Sequence, residues 1–307
     1  MFKQLDAFRF YAFMAVFLFH INQLEVGYLG VQAFFVLSGF LLTPILLDMK
    51  DTLAFKRYAI VFYGRRILRI FPLYYAYLFI VGLTVVTLIH ILGTRTDQFV
   101  KTLRTIGEQL PYALTFTYDF YHASLAFKRT YLLTHFWSLA VEEQFYLVWP
   151  FFIWTCPKPR LRFFLYLFIF LGPLIRGITY MISNASHLDP FLSVYVLPFS
   201  HFDAFALGGF LSISNTEKIN RITWPLIFIV PAIGYASQYF DNRTVIWSSL
   251  GYPNIMSGQF KFIWGYSLLN LTFGSILCSL KKDSFLPTLF SIPSIQYLGK
   301  ISYGLYV

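Results

Sequence analysis

Arg9 and His20 lie in one apolar stretch, residues 5–21, whose sequence is LDAFRFYAFMAVFLFHI. At about 100° per residue, the eleven steps between them return to within ~20° of the starting direction, so both side chains would share one helix face, ~16 Å apart. Ionisable residues inside a membrane span are costly and usually face a bundle interior or a watery pathway. The pair therefore predicts a functional site. The alternative is that Arg9 snorkels to the lipid headgroups as an anchor and His20 is an interfacial polar group.

Two further arginines, Arg66 and Arg69, stand at the start of a later apolar run in the sequence GRRILRIFP. Residues three apart project from the same side of a helix. Two guanidinium groups placed in this way offer bidentate geometry for phosphate oxygens, which lysine lacks. The alternative is a cluster that binds lipid headgroups and orients the chain in the membrane. If Arg9 lies at the same membrane side, three arginines would converge on one pocket.

Two adjacent carboxylates, Glu142 and Glu143, interrupt another apolar run, with the sequence HFWSLAVEEQFYLVWP. Adjacent helical residues point ~100° apart, so both cannot face lipid at low cost. Glu142 shares a face with Ser138 and Tyr146, and His135 precedes them by one turn. A carboxylate can fix the tautomer of an imidazole and stabilise its charged form during proton transfer. The alternative is a structural network that holds this helix against its neighbours.

Other polar residues give weaker signals. Ser38, in FFVLSGF, lies beside Gly39, and small residues of this kind more often permit close helix packing than nucleophilic catalysis. No pair of histidines has the spacing of metal ligands, so we predict no metal site.

The composition defines the broad class of protein. The chain of 307 residues is 57% hydrophobic and 12% charged, about half the charged fraction of a soluble domain. We expect an all-α, polytopic transmembrane helical bundle with about nine spans, the last one truncated, and ten in the full protein. Segment 94–134 is predicted to be an amphipathic helix plus an interfacial or re-entrant piece. The predicted spans are 5–23, 28–47, 71–93, 135–155, 163–182, 197–214, 223–240, 258–280 and one that begins near residue 295.

The net charge of +10 is distributed in a way that argues against nucleic-acid binding. Most of the 24 Lys and Arg residues fall in segments that share one side of the membrane if the N-terminus is cytoplasmic. This asymmetry follows the positive-inside rule. We therefore expect cytoplasmic loops at 48–70, 156–162, 215–221 and 281–294.

Taken together and in order, these motifs resemble the membrane acyltransferase-3 family, the integral-membrane O-acyltransferases of bacterial polysaccharides and related acceptors. The resemblance covers essentially the whole chain. It rests on the Arg9–His20 spacing and on the segments YLGVQAFFVLSGFLLT, RRILRIFPLYY, HFWSLAVEEQFYLVWP, FDAFALGGFLS and LGKISYGLYV.

The resemblance implies the chemistry and the roles of the residues. It implies a ten-span core that transfers an acyl group, usually acetyl, from acyl-coenzyme A to a hydroxyl. The helix-1 histidine of the family corresponds to His20, the helix-1 arginine to Arg9, and the paired arginines to Arg66 and Arg69. The family continues past LGKISYGLYV, so residues 1–307 are expected to be a single acyltransferase domain, truncated at its C-terminus.

We therefore expect an integral protein of the bacterial inner membrane. The donor substrate would be acetyl-CoA or another acyl-CoA, and no cofactor would be tightly bound. His20 would be the general base, supported by Glu142 or Glu143, or it would form an acyl-histidine. The acceptor would be a cell-envelope saccharide or glycolipid, and membrane lipids would surround the bundle. The alternative function is a multi-span transporter or flippase of an envelope saccharide or lipid precursor.

Overall fold

The chain folds almost entirely into helices. A computed structural model describes residues 3–92, 97–215, 217–280 and 290–306, and no β-strand occurs within these ranges. The all-α fold predicted from the sequence is therefore confirmed. The described residues form α1 (Lys3–His20), α2 (Leu29–Thr52), α3 (Phe55–Leu92), α4 (Gln98–Leu114), α5 (Tyr118–His122), α6 (Phe136–Thr155), α7 (Lys158–Ala185), α8 (Pro190–Val196), α9 (Phe202–Ser212), α10 (Glu217–Asn242), α11 (Lys261–Ser279) and α12 (Pro293–Tyr306).

Several of these helices are suited to a bilayer. Four helical segments of the described chain are long and apolar enough to cross a membrane: Glu25–Thr52, Phe55–Leu92, Lys158–Ala185 and Gly258–Ser279. A fifth span results if α8 and the following helical segment, Pro198–Ser212, form one broken span. Several such helices in one chain are typical of a polytopic membrane protein. The count of about nine spans is not confirmed and stays a prediction.

Two predicted segments differ from the structure. The segment 48–70, predicted as a loop, is helical except at residues 53–54, because α2 ends at Thr52 and α3 begins at Phe55 and continues through Pro72. A proline inside a membrane helix is tolerated where neighbouring groups satisfy the freed backbone. The predicted span 197–214 corresponds to the helical segment Pro198–Ser212, but this segment follows α8 at a bend of 65° that was not predicted.

The amphipathic helix predicted within 94–134 is confirmed as α4. Its buried face carries Val100, Leu103 and Ile106, whereas Phe99 is 55% exposed. The buried Gln109 on the same helix fixes the segment that follows. Its side-chain oxygen accepts hydrogen bonds from two hydroxyl groups of that segment, and its amide donates to the Lys128 carbonyl at 2.7 Å.

The centre of the bundle is the contact between α2 and α9. A Cβ atom on Gly39 would lie 1.9 Å from the Phe205 carbonyl oxygen, and one on Gly208 would lie 1.9 Å from the Val36 carbonyl oxygen. Only glycine permits so close an approach of the two backbones, which is a common device in membrane helix packing. The packing role expected for the small residues around Ser38 is therefore confirmed for Gly39.

A buried ion pair connects three other helices. Arg176 on α7 is fully buried, and its guanidinium donates to the Asp203 carboxylate on α9 at 2.9 Å. It also donates to the Ile263 carbonyl at 3.0 Å and to the Ser267 hydroxyl at 2.5 Å, both on α11. Because a buried charge is stable only when it is paired and hydrogen-bonded, this network fixes the relative positions of α7, α9 and α11.

Three segments predicted to be cytoplasmic meet at one end of the bundle. Lys50 donates to the carbonyl of Cys156 at 2.7 Å, and Lys158 forms an ion pair with Asp51. Arg162 donates to the carbonyl of Ile213 at 3.1 Å. One end of the bundle therefore holds three neighbouring parts of the chain, as the predicted topology requires: 48–70, 156–162 and the residues just before 215–221. The predicted loop 281–294 lies mostly outside the described residues.

Candidate active site

A cavity of about 100 Å³ lies between α1, α2, α3, α6 and α12, and we call it the arginine pocket. The three arginines singled out in the sequence line it together with one of the two candidate carboxylates: Arg9, Arg66, Arg69 and Glu142. These residues come from three helices that are far apart in the sequence. The structure thus brings together four of the six predicted site residues.

Arg9 is held in place by a residue that the sequence analysis did not single out. Asp6, three positions earlier on α1, forms an ion pair and a hydrogen bond with the Arg9 guanidinium. Both side chains are nearly buried, with 12% and 4% exposure. Helix α12 covers this pair closely, because a Cβ atom on Gly299 would lie 1.7 Å from the Asp6 carbonyl oxygen. The i, i+3 spacing of Asp6 and Arg9 was a sequence signal that could have identified the pair.

Arg66 and Arg69 project from α3 into the same pocket. The Arg66 guanidinium lies over the Tyr146 ring, 4.7 Å from its centre, and 5.8 Å from the centre of the Phe62 ring. Neither arginine forms an ion pair or a side-chain hydrogen bond within the described part of the chain. Their donors are therefore available to an anionic ligand, with Arg66 oriented by aromatic contact.

Glu142 is the carboxylate that faces the arginine pocket. Its side chain accepts a hydrogen bond from the Ser38 hydroxyl of α2 at 2.6 Å and another from the Tyr146 hydroxyl one turn further along α6. The shared face of Glu142 and Tyr146 predicted from their spacing is confirmed by this contact. Two hydroxyl donors fix the position of the carboxylate beside the arginines and reduce its freedom to move.

Glu143 takes a different direction. It does not line the arginine pocket, and it forms no hydrogen bond or ion pair in the described part of the chain. It lies within electrostatic range of Arg66 and of Tyr74 on α3. The choice between the two glutamates, which the sequence left open, thus favours Glu142 as the residue that faces the pocket.

His20 lines a separate space, which we call the histidine chamber. It consists of two cavities of about 210 and 250 Å³ that share six lining residues, so they form one continuous region around the end of α1. The shared residues are Val16, His20, Arg129, Thr134, His135 and Tyr306. Arg9 and His20 therefore do not line a common pocket, although both belong to α1.

Tyr306 on α12 forms the boundary between the two spaces. It lines the arginine pocket and both cavities of the histidine chamber. Its hydroxyl lies 2.6 Å from the Ser138 hydroxyl on α6, and its ring lies 5.6 Å from the His135 ring. Val31 on α2 also lines both the arginine pocket and part of the histidine chamber. The sequence analysis did not single out Tyr306.

Two further residues of the histidine chamber bear on its chemistry. The carboxylate contact considered for His135 is not formed, since its Nε2 atom has no hydrogen-bond partner in the described part of the chain. Arg129, which the sequence analysis did not single out, lines both cavities beside His20. It follows directly on Lys128, whose backbone carbonyl is held by Gln109, so α4 positions it.

The sequence of the chain matches a family of known proteins. The family model described as an acyltransferase domain, the acyltransferase-3 model, covers residues 2–307. The chain is 29% identical over 320 residues to the peptidoglycan O-acetyltransferase OatA of Listeria monocytogenes, covering 99% of this chain and 48% of that protein. It is 26% identical over 316 residues to a putative O-acetyltransferase of Staphylococcus aureus, covering 99% of this chain and 49% of that protein.

The matches also define what part of these proteins the chain represents. A further relative, the putative peptidoglycan O-acetyltransferase YrhL of Bacillus subtilis, is 26% identical over 318 residues, with 99% of this chain and 47% of that protein covered. The chain thus spans about half the length of the curated relatives it matches. No solved structure matches it.

Proposed function

This chain belongs to the acyltransferase-3 family. We propose that it is the membrane O-acyltransferase unit that moves an acyl group from acyl-CoA to a hydroxyl of an envelope saccharide or glycolipid, with acetyl as the leading candidate for that group. The observation that carries the proposal is the position of the arginine pocket. Three arginines and Glu142 line it, and it shares the lining residues Val31 and Tyr306 with the chamber of His20. The donor would enter from the cytoplasmic side.

The arginine pocket supports the binding of the donor phosphates. Arg66 and Arg69 carry guanidinium groups without acidic partners in the described chain, and such groups bind phosphate in bidentate fashion. Arg9 is bound to Asp6 and adds positive charge at the pocket wall. Coenzyme A carries its phosphates at one end and its thioester at the end of a long arm. The arm would pass Tyr306 towards His20.

His20 supplies the base in this proposal. Its imidazole would take the proton of the acceptor hydroxyl as the oxygen attacks the thioester carbonyl. The new C–O ester bond forms, the C–S bond breaks, and the proton passes from the imidazole to the departing thiolate of coenzyme A. In the alternative course, the imidazole itself attacks the thioester and an acyl-histidine forms before transfer. Rapid quenching with radiolabelled acetyl-CoA and no acceptor distinguishes them, because only the second course leaves label on the protein.

The test uses the purified protein in nanodiscs with radiolabelled acetyl-CoA and a panel of saccharides and glycolipids. We expect acetyl transfer to at least one acceptor, and His20→Ala should lower it by about 10²–10⁴-fold while donor binding is retained. His90→Ala is the matched control, because this exposed imidazole at the end of α3 lines neither the arginine pocket nor the histidine chamber.

Two outcomes would overturn the proposal. Near wild-type transfer by His20→Ala would exclude the histidine base and make Glu142 the leading candidate. The transporter class would be favoured if the wild-type protein neither bound the donor nor transferred acetyl, but moved a saccharide or lipid precursor across the bilayer.

A further inference from the structure

The described lining of the histidine chamber holds one permanently charged basic group, Arg129, and no acidic side chain that is free to pair with it. Arg129 and three imidazoles line it, and Asp189 is the single acidic residue among the described residues of its lining. The Asp189 carboxylate is already engaged, because it accepts from the backbone N–H groups of Phe191 and Leu192, both at 3.0 Å, at the start of α8. The described chain therefore provides no free anion inside the chamber.

Arg129 differs from the basic residue beside it. Lys128 forms an ion pair with Glu108 at 3.6 Å, and both side chains are more than 60% exposed. Arg129 takes part in no hydrogen bond or ion pair with the residues that the structure describes. It lies within electrostatic range of His20 and of His122. An unpaired guanidinium at a cavity wall beside the proposed base is positioned to bind part of a ligand.

The other walls of the chamber suit a sugar ring. Trp137 and Tyr195 lie with their ring centres 4.6 Å apart, and Tyr28 lies 5.6 Å from Tyr195. Aromatic faces of this kind pack against the apolar C–H faces of pyranose rings, and a few polar groups among them fix orientation. Two imidazole nitrogens, His122 Nδ1 and His135 Nε2, are buried without a partner in the described chain. Buried polar atoms normally have partners, and saccharide hydroxyls would supply them after a small ring rotation.

We infer that the histidine chamber is the acceptor site and that it selects an anionic saccharide, whose carboxylate or phosphate binds the Arg129 guanidinium. The inference rests on the proposed function only for the identity of the chamber as an acceptor site. The binding step itself requires no donor and no turnover. Arg129 is thus a specificity-determining residue, positioned by the Gln109 contact to the neighbouring Lys128 carbonyl at 2.7 Å.

Equilibrium binding of defined probes tests the inference. Fluorescently labelled oligogalacturonate and a neutral galactan oligosaccharide of the same length are titrated against the protein in nanodiscs without acyl-CoA. We expect the anionic probe to bind about tenfold or more tightly, and Arg129→Gln to remove that preference, because a charge-assisted contact is lost. Arg129→Lys, which retains the charge, should keep part of it.

Lys128→Gln is the matched control, because it removes the same unit charge one position away and outside the chamber lining. The protein carries a net charge of +10, so non-specific attraction of the anionic probe would fall equally in both variants. A second measurement, the affinity for acetyl-CoA, should be unchanged in Arg129→Gln, because Arg129 does not line the arginine pocket.

Several results would overturn the inference. Equal binding of the two probes by the wild-type protein, or no binding of either, would exclude an anionic acceptor site. An unchanged preference in Arg129→Gln would exclude Arg129 as its determinant. A loss of acetyl-CoA binding in this variant would instead assign Arg129 to the stability of the fold. Failure of the proposed function is a separate result: the wild-type protein would bind the anionic probe but transfer no acetyl group.

Discussion

The substitution Arg66→Lys separates geometry from charge in the arginine pocket. The Arg66 guanidinium lies 4.7 Å from the centre of the Tyr146 ring and has no acidic partner within ion-pair distance in the described chain. A planar group stacked in this way presents its remaining N–H donors in a fixed direction. Lysine at this position retains the unit charge but loses both the stacking plane and the paired donors.

The expected magnitude follows from the lost contacts. A hydrogen bond to a charged group contributes about 1.5–3 kcal/mol, and one of two such bonds to a phosphate would be lost. Each 1.4 kcal/mol corresponds to about tenfold in affinity, so the dissociation constant for acetyl-CoA should rise by roughly 10- to 100-fold. The lost cation–π contact adds about 0.5–1 kcal/mol, since it orients the group before the donor binds.

The assay is isothermal titration of acetyl-CoA into the protein in nanodiscs, together with 3′-dephospho-acetyl-CoA and pantetheine, which lack one or all phosphates. Arg65→Lys is the matched control, because Arg65 is exposed and does not line the arginine pocket. Weaker binding of acetyl-CoA by Arg66→Lys and Arg69→Lys, with no change for pantetheine, is the expected result. Unchanged acetyl-CoA binding in the two variants would refute donor binding here and leave the arginines an orienting role.

Three further results are expected. Glu142→Gln should lower acetyl transfer by about tenfold or more, and Glu143→Gln should lower it by less. The reason is that, of the two, only Glu142 lines the arginine pocket and accepts hydrogen bonds from hydroxyl groups in the described chain. Equal losses in the two variants would contradict this assignment. Asp203→Asn should lower the thermal unfolding midpoint in detergent, because it leaves Arg176 buried without its counter-charge, at a cost of about 3–5 kcal/mol; an unchanged midpoint would contradict the structural role. Arg160→Cys, in a background without the native cysteines, should react with an impermeant maleimide only from the cytoplasmic side; labelling from outside would invert the topology.

The sequence alone determined the properties that arise within single helices. Hydropathy and the scarcity of charge were sufficient to predict an all-α membrane protein, because a segment that crosses lipid must satisfy its own backbone and present apolar side chains. The distribution of Lys and Arg predicted which segments share a side, and the contacts of Lys50, Lys158 and Arg162 place three of them at one end. The periodicity of α6 predicted the shared face of Glu142 and Tyr146.

The tertiary structure decided which neighbours these faces meet. Helical periodicity gives the direction of a side chain on its own helix, but it does not give the helix that lies opposite. Arg9 and His20 were expected to share one helix face and one functional site, yet α12 packs along α1 and the two residues line separate spaces that both include Tyr306.

The same reason explains the residues that sequence analysis passed over. Arg129 and Tyr306 belong to no distinctive local pattern, and Asp6 has only its i, i+3 spacing to Arg9 as a signal. Each of the three also contacts, or follows a residue that contacts, a distant segment. Asp6 is covered by Gly299, Tyr306 is held by Ser138, and Arg129 follows a carbonyl bound by Gln109. Such long-range contacts depend on the packing of the whole bundle, which a single sequence does not encode in any local spacing.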